Sequence, residues 1–248
     1  PSDLTVLAAH RKVEVPEKDA KLPTTGRRLA FANALTDGKH PLLARVMVNR
    51  VWMHHFGKGI VSSPGDFGQL GSKPTHPELL DWLAAEFMRE GWSLKHLHRL
   101  IMTSRTYRQS STRDEKRDRI DPDNTLLSRM SVRRLEAEIL RDSLLAISGR
   151  LNPKIGGAPV PVMFNEEGQV VIGIDTTDTA GRPTGKYLAM NGEEFRRSIY
   201  VQARRSRPLE MFATFDAPIM EPSCDVRSVT TVSPQSLLLM NSSIMRVH

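Results

Sequence analysis

The sequence predicts an α+β protein that is predominantly α, with a helical core and a small β region in its C-terminal half. Three observations carry this. Apolar residues recur at helical spacing between Arg27 and Ser148, with glycines or capping residues at the breaks. Residues 152–193 are rich in Gly, Pro and Thr around the run V-V-I-G-I, Val170 to Ile174, which reads as loops and a short hairpin. Finally, 248 residues with 39% hydrophobic content suffice to bury a real core.

The elements follow in order. Residues 1–26 mix Pro, Lys, Glu and Thr without an apolar period and read as an extended arm or linker. Residues 27–248 are expected to form a single domain: a helical core over 27–150, then loops, short strands and a returning helix over 151–248. A helix over Arg27–Thr36 stops at Asp37-Gly38, and a second opens at Pro41 and runs to about Phe56, with Gly57 just past its end. Five glycines and two prolines between Gly57 and Pro74 make a loop. Thr75-His76-Pro77-Glu78 has the form of a capping box ahead of Leu79, Leu83 and Phe87, and Gly91 closes that helix after Glu90. Ser93 caps the next one, with Leu94, Leu97 and Ile101 on one face, and Trp82 and Trp92 stand near the ends of the resulting hairpin. Helical spacing is expected again from Asn124 to Ser148, with Leu140, Leu144 and Ile147 as its stripe and an Arg134–Glu138 pair one turn apart. Ser198 to Ala203 alternates and reads as a strand with an arginine pair at each end.

Charge points to anionic partners. The chain has 35 Lys and Arg against 28 Asp and Glu, a net charge of +7, and a pI near 9.8. Arginine pairs stand at 27–28, 133–134, 196–197 and 204–205. Such forks match carboxylate, sulfate or phosphate oxygens, and equally well the chain's own acids. Cys224 alone rules out an internal disulfide, a C-x-x-C-H haem site and cysteine-rich zinc sites. No H-E-x-x-H or H-x-x-x-H pattern occurs, so no metal site is expected on one helix. Separated histidines such as His55 and His76 would need the fold to bring them together. The glycines lack the dinucleotide and Walker A spacings, Asp66-Phe67-Gly68 has no accompanying kinase motifs, and there is no G-x-S-x-G elbow. No stretch approaches the roughly 20 apolar residues of a membrane span. The chain begins at Pro1 and ends within an amphipathic run, Leu237 to His248, as expected of a piece of a longer protein.

A series of motifs resembles a known family. It begins with N-R-V-W-M-H-H-F-G-K-G-I-V from Asn49, D-F-G at Asp66, T-H-P-E-L-L-D-W-L from Thr75, and G-W-S-L-K-H-L-H-R-L-I from Gly91. It continues with S-R-T-Y-R-Q-S from Ser104, R-R-L-E-A-E-I-L-R-D from Arg133, R-R-S-I-Y from Arg196, F-D-A-P from Phe215 and C-D-V-R-S-V-T-T-V-S-P-Q-S from Cys224. Together these resemble the planctomycete-type domain of unknown function fifteen fifty-three, with the segment from about Pro161 to Glu194 departing from its pattern. The resemblance implies a domain of a large exported, cytochrome-c-associated bacterial protein. It further implies a periplasmic or secreted location, the parent protein's other domains as partners, and haem, if any, held by one of them; no cofactor is expected within this chain.

Three functional readings follow. The first is a non-catalytic binding or scaffolding module for anionic polysaccharide, with Arg50, Arg134, Arg197 and Arg227 as binding residues. The second is a glycan-acting enzyme using paired carboxylates, with Asp66, Asp142, His55 and His76 as candidate catalytic residues, since such chemistry asks for two acids flanking one bond. The third is nucleic-acid binding, against which stand scattered basic residues and only 6% aromatics. The eight named side chains are expected to line one site.

Overall fold

Local chemistry sets most helix boundaries. The computed structural model of the protein describes residues 23–219 and 224–241. Most of the expected arm at 1–26, and the end of the run Leu237–His248, lie outside the described residues. Helix α1 (Arg27–Thr36) stops at Asp37. Ahead of α2 (Leu43–Phe56), His40 Nδ1 accepts the N–H groups of Leu42 and Leu43. Gly57 closes α2 with φ 84° and a 2.7 Å bond from its N–H to the Met53 carbonyl, the left-handed C-cap that glycine adopts most easily. The capping box expected at the next helix, α3 (Pro77–Arg89), does not form. Pro77 takes the first helical position, where its missing N–H is not needed, so His76 precedes the helix. Thr75 instead turns its N–H and hydroxyl to the Ile60 carbonyl. Ser93 does cap α4 (Leu94–Thr103), accepting from the His96 N–H, and Ser104 does the same for the short α5 (Arg105–Arg108). Asp114 caps α6 (Glu115–Ile120).

The chain divides into two compact units, residues 1–133 and 134–248. In the first, α2 brings Val48, Trp52 and Phe56, α3 Leu80, Leu83 and Phe87, and α4 Leu97 and Ile101 to one core, joined by Ile60 and Val61 from the glycine loop. The Trp52 and Phe56 rings stack at 4.2 Å and Trp92 meets Phe87 edge-on at 5.2 Å, whereas Trp82 is exposed. Leu94 is also exposed, so it is not part of the buried face of α4. It opens the helix, and its Cβ points back beyond the core.

The helix expected over Asn124–Ser148 is shorter. Residues 124–136 are not helical: Asn124 and Leu127 take φ of 51° and 56°, and the Asn124 amide donates to the Arg129 carbonyl at 2.8 Å. Such side-chain bonds offer the backbone an alternative to a helical turn. The helix is α7 (Ala137–Ile147), and its buried positions are Ala137, Arg141 and Leu145, while Ile147 is exposed. Arg134 precedes it and therefore cannot make the expected one-turn pair with Glu138. Beside α7 lie a hairpin of β1 (Val162–Phe164) and β2 (Val170–Ile172), with Met163 opposite Val171, and helices α8 (Glu210–Thr214) and α9 (Ser233–Asn241). Val162, Leu209, Met211 and Phe215 close the core of this unit around Ala137. The strand expected at Ser198–Ala203 is instead a 3-10 turn, Ser198–Tyr200, followed by a single parallel bridge from Val201 to Val160. The fold class is the expected one: mostly helical, with one small antiparallel sheet in the C-terminal half.

Candidate functional site

In the first unit the glycine loop is folded by its own polar groups. Asn49 is fully buried on α2, donates to the Val61 carbonyl at 2.9 Å and accepts the Val61 N–H at 2.8 Å. Gly59 must stay small, because a Cβ there would lie 2.5 Å from the Val61 oxygen and 2.8 Å from the Asn49 amide. Asp66 Oδ1 accepts the Gly68 N–H at 2.7 Å, and His76 Nδ1 meets the Thr75 hydroxyl at 2.9 Å. Both therefore shape the loop and its exit. Between the loop and the helices lies an open cleft of about 280 Å³, lined by Val61, Phe67 and Leu80 and by the pair Arg45–Asp81, 2.7 Å apart. The hydrogen bond from Arg45 holds the Asp81 carboxyl below its usual range, and Arg45 also donates to the Pro41 carbonyl.

Acids in the second unit capture its arginines. Glu138 receives a two-pronged bond from Arg227, at 2.6 and 3.0 Å, and Glu136 lies 3.3 Å from the same guanidinium. Burial pushes the Glu138 carboxyl up, but the Arg227 and backbone hydrogen bonds and the Arg227 charge outweigh it and leave it lowered. Asp142 accepts the Ser198 N–H at 2.7 Å and Arg197 Nε at 3.3 Å. Arg134 lies over the Phe215 ring, 3.6 Å from Asp216, and Asp175 holds both Arg204 and Arg207. Arg141 is 3% exposed and donates to the carbonyls of Glu194 and Arg196 and to the Ser198 hydroxyl. Burial lowers its guanidinium to about 10 against the opposing pull of Asp142, which leaves it charged at neutral pH.

The outer side of α4 and α5 is different. From Gly91 to Arg113 the chain has no acid, and Lys95, Arg99, Arg105 and Arg108 are all exposed there. Lys95 and Arg99 are one turn apart, opposite the buried Leu97 and Ile101. At the edge of this basic face His98 reaches α2, its Nδ1 2.8 Å from His55 Nε2. Tyr107 stands edge-on to the His55 ring at 5.4 Å. Burial, then the neighbouring His98, Arg133 and His54, hold the His55 imidazole below its ordinary value, so it is neutral at pH 7.

Asp142 and Arg197 are thus brought together, while the partner of His55 is His98 rather than His76. Arg134 and Arg227 face acids, and Arg50 is exposed on α2. Sequence reasoning missed Arg45, Asn49, Arg141 and His98. The acid-free stretch, by contrast, is plain in the sequence. Among the described residues no group of three or more His, Cys, Asp or Glu is placed to hold a metal ion, and no helix is long and apolar enough to cross a membrane.

Neither the curated proteins nor the solved structures include a match to this chain. The family model described as PSD1, protein of unknown function (DUF1553), matches residues 27–247, from the first residue of α1 to beyond α9. Because that match takes in the loop clamp, the basic face and the acid–arginine pairs alike, the chain belongs to the DUF1553 family.

Proposed function

We propose that this DUF1553 domain is a non-catalytic binding module for anionic polysaccharide within a larger exported protein, and that α4 and α5 form its binding face. One observation carries the reading: four exposed cations, Lys95, Arg99, Arg105 and Arg108, stand on a stretch without a single acid. Arg134, Arg197, Arg204, Arg207 and Arg227 each face one of the chain's own carboxylates, whereas these four stand on a stretch that has none. The binding role moves accordingly from Arg134, Arg197 and Arg227 to this face, with Arg50 and His54 exposed on the neighbouring α2. The paired-carboxylate alternative draws less support. A general acid needs a raised carboxyl, whereas Asp81, Glu86, Glu138, Glu193 and Asp216 are all lowered by cationic or hydrogen-bonding neighbours. Asp66 and Asp142 are engaged by backbone N–H groups.

The test is binding to neutral, carboxylated and sulfated polysaccharides and to duplex DNA at low and physiological salt, with product analysis. K95E/R99E and R105E/R108E should each abolish saturable binding to the charged polysaccharides and leave the far-UV spectrum unchanged. Binding that survives both double variants overturns the reading. Cleavage of any polymer favours the enzyme, and affinity for DNA alone, falling steeply with salt, favours a nucleic-acid module.

A further inference from the structure

The His55–His98 contact has a chemistry that polymer binding does not use. The two imidazoles come from different helices, α2 and α4, whose spacing is fixed by packing of Phe56, Leu97 and Ile101 in one core. Their facing nitrogens are 2.8 Å apart. Two nitrogens each about 2.0 Å from one metal ion, in adjacent positions at a right angle, also stand about 2.8 Å apart. His98 is exposed and His55 half-buried, so ligand positions on the outer side of such an ion would open to solvent.

We propose that His55 and His98 form a two-histidine site for a divalent transition metal, with copper(II) bound most tightly. In the arrangement seen, one facing nitrogen donates a hydrogen bond to the other. On binding, the donor ring moves that proton to its second nitrogen, so both facing lone pairs turn to the ion and no proton is lost from the protein. With ring centroids 5.0 Å apart the two nitrogens face each other nearly head-on, so each ring must swing by roughly 30–45° to turn its lone pair to a common ion. Two imidazoles and open positions suit the tetragonal preference of copper(II), and the stability order of divalent ions places copper above nickel and zinc. With two protein ligands the ion exchanges readily, unlike a closed four-ligand structural zinc. Bound metal ties α2 to α4 beside the basic face.

The untagged full chain is titrated with copper(II) and, separately, zinc(II), in a non-coordinating buffer, followed by calorimetry and by electron paramagnetic resonance. One copper per chain is expected, with superhyperfine coupling to two nitrogens. Its affinity should fall by far more than about tenfold, the least that loss of an outer partner alone costs, in both H98Q and H55Q. H54Q and H96Q should bind as the parent does, and zinc should bind more weakly at the same two residues. H98Q is the decisive variant, because its exposed side chain can change without unpacking the core, and its far-UV spectrum checks folding. Undiminished copper binding by H98Q, or coupling to a single nitrogen in the parent, overturns the proposal.

Discussion

Replacing Asn49 by Ala should destabilise the first unit by about 3 kcal/mol. The buried amide makes two bonds to Val61, at 2.9 and 2.8 Å, and both partners are main-chain groups of a buried residue. Truncation removes both bonds and leaves the Val61 N–H and C=O unpaired in the core, at about 1–3 kcal/mol each. The two together come to about 2–6 kcal/mol, and partial relaxation of the loop brings the cost into the lower half of that range, about 3 kcal/mol or a hundredfold in the unfolding equilibrium at roughly 1.4 kcal/mol per tenfold. The three tryptophans, Trp52, Trp82 and Trp92, all lie within residues 1–133, so tryptophan fluorescence in a urea titration reports on this unit alone. Q69A, an exposed change in the same loop, should stay within about 0.5 kcal/mol of the parent. G59A should also destabilise, and its cost should shrink in the N49A background, because part of its clash is with the Asn49 amide. An N49A midpoint equal to that of Q69A would refute the clamp.

Other outcomes follow from the same geometry. G57A should cost about 1–2 kcal/mol by the tryptophan signal, since a left-handed residue then carries a Cβ, with only the flexible Arg133 side chain to move aside. R141K should lower the melting temperature of the second unit and cost about 3 kcal/mol, because an ammonium cannot reach two carbonyls and a hydroxyl in the plane of a fork; calorimetry checks this. E138Q should cost about 1 kcal/mol at pH 7, the worth of a charge-assisted bond. Because the Glu138 carboxyl is lowered in the folded chain, its contribution is complete above the unfolded value of about 4.3 and disappears as pH falls through the folded one. The gap between parent and E138Q should therefore begin to close as pH falls below about 4.3 and vanish below the folded value, and a constant gap down to acid pH would contradict the pairing.

Much of the helical half was legible because its signals are local. Gly57, Gly91 and Ser93 each act on neighbouring backbone groups, and the structure uses all three at the expected ends. The errors arise where side chains, near or distant in sequence, compete for those groups. Asn124 turns the chain through its own side chain, and Ser198 gives its N–H to Asp142 on α7, far away in sequence. Periodicity cannot register either bond. The arginine pairs were legible as either anion forks or partners of the chain's own acids, and Arg134, Arg197 and Arg204 take the second role. The His55–His98 contact was not legible at all, since it depends on how α2 and α4 cross.

The buried fork of Arg141 also links two motions. Residues 193–201 have almost no ladder to hold them, and the donors that fix the carbonyls of Glu194 and Arg196 ride on α7. Bridges to Asn152 and Val160 hold the segment from the other side, so the α7 bonds should set how far it opens when that helix frays. In native-state hydrogen exchange the amides of 193–201 and α7 should therefore open together as one cooperative unit, although more than fifty residues of chain separate the guanidinium from the carbonyls it holds.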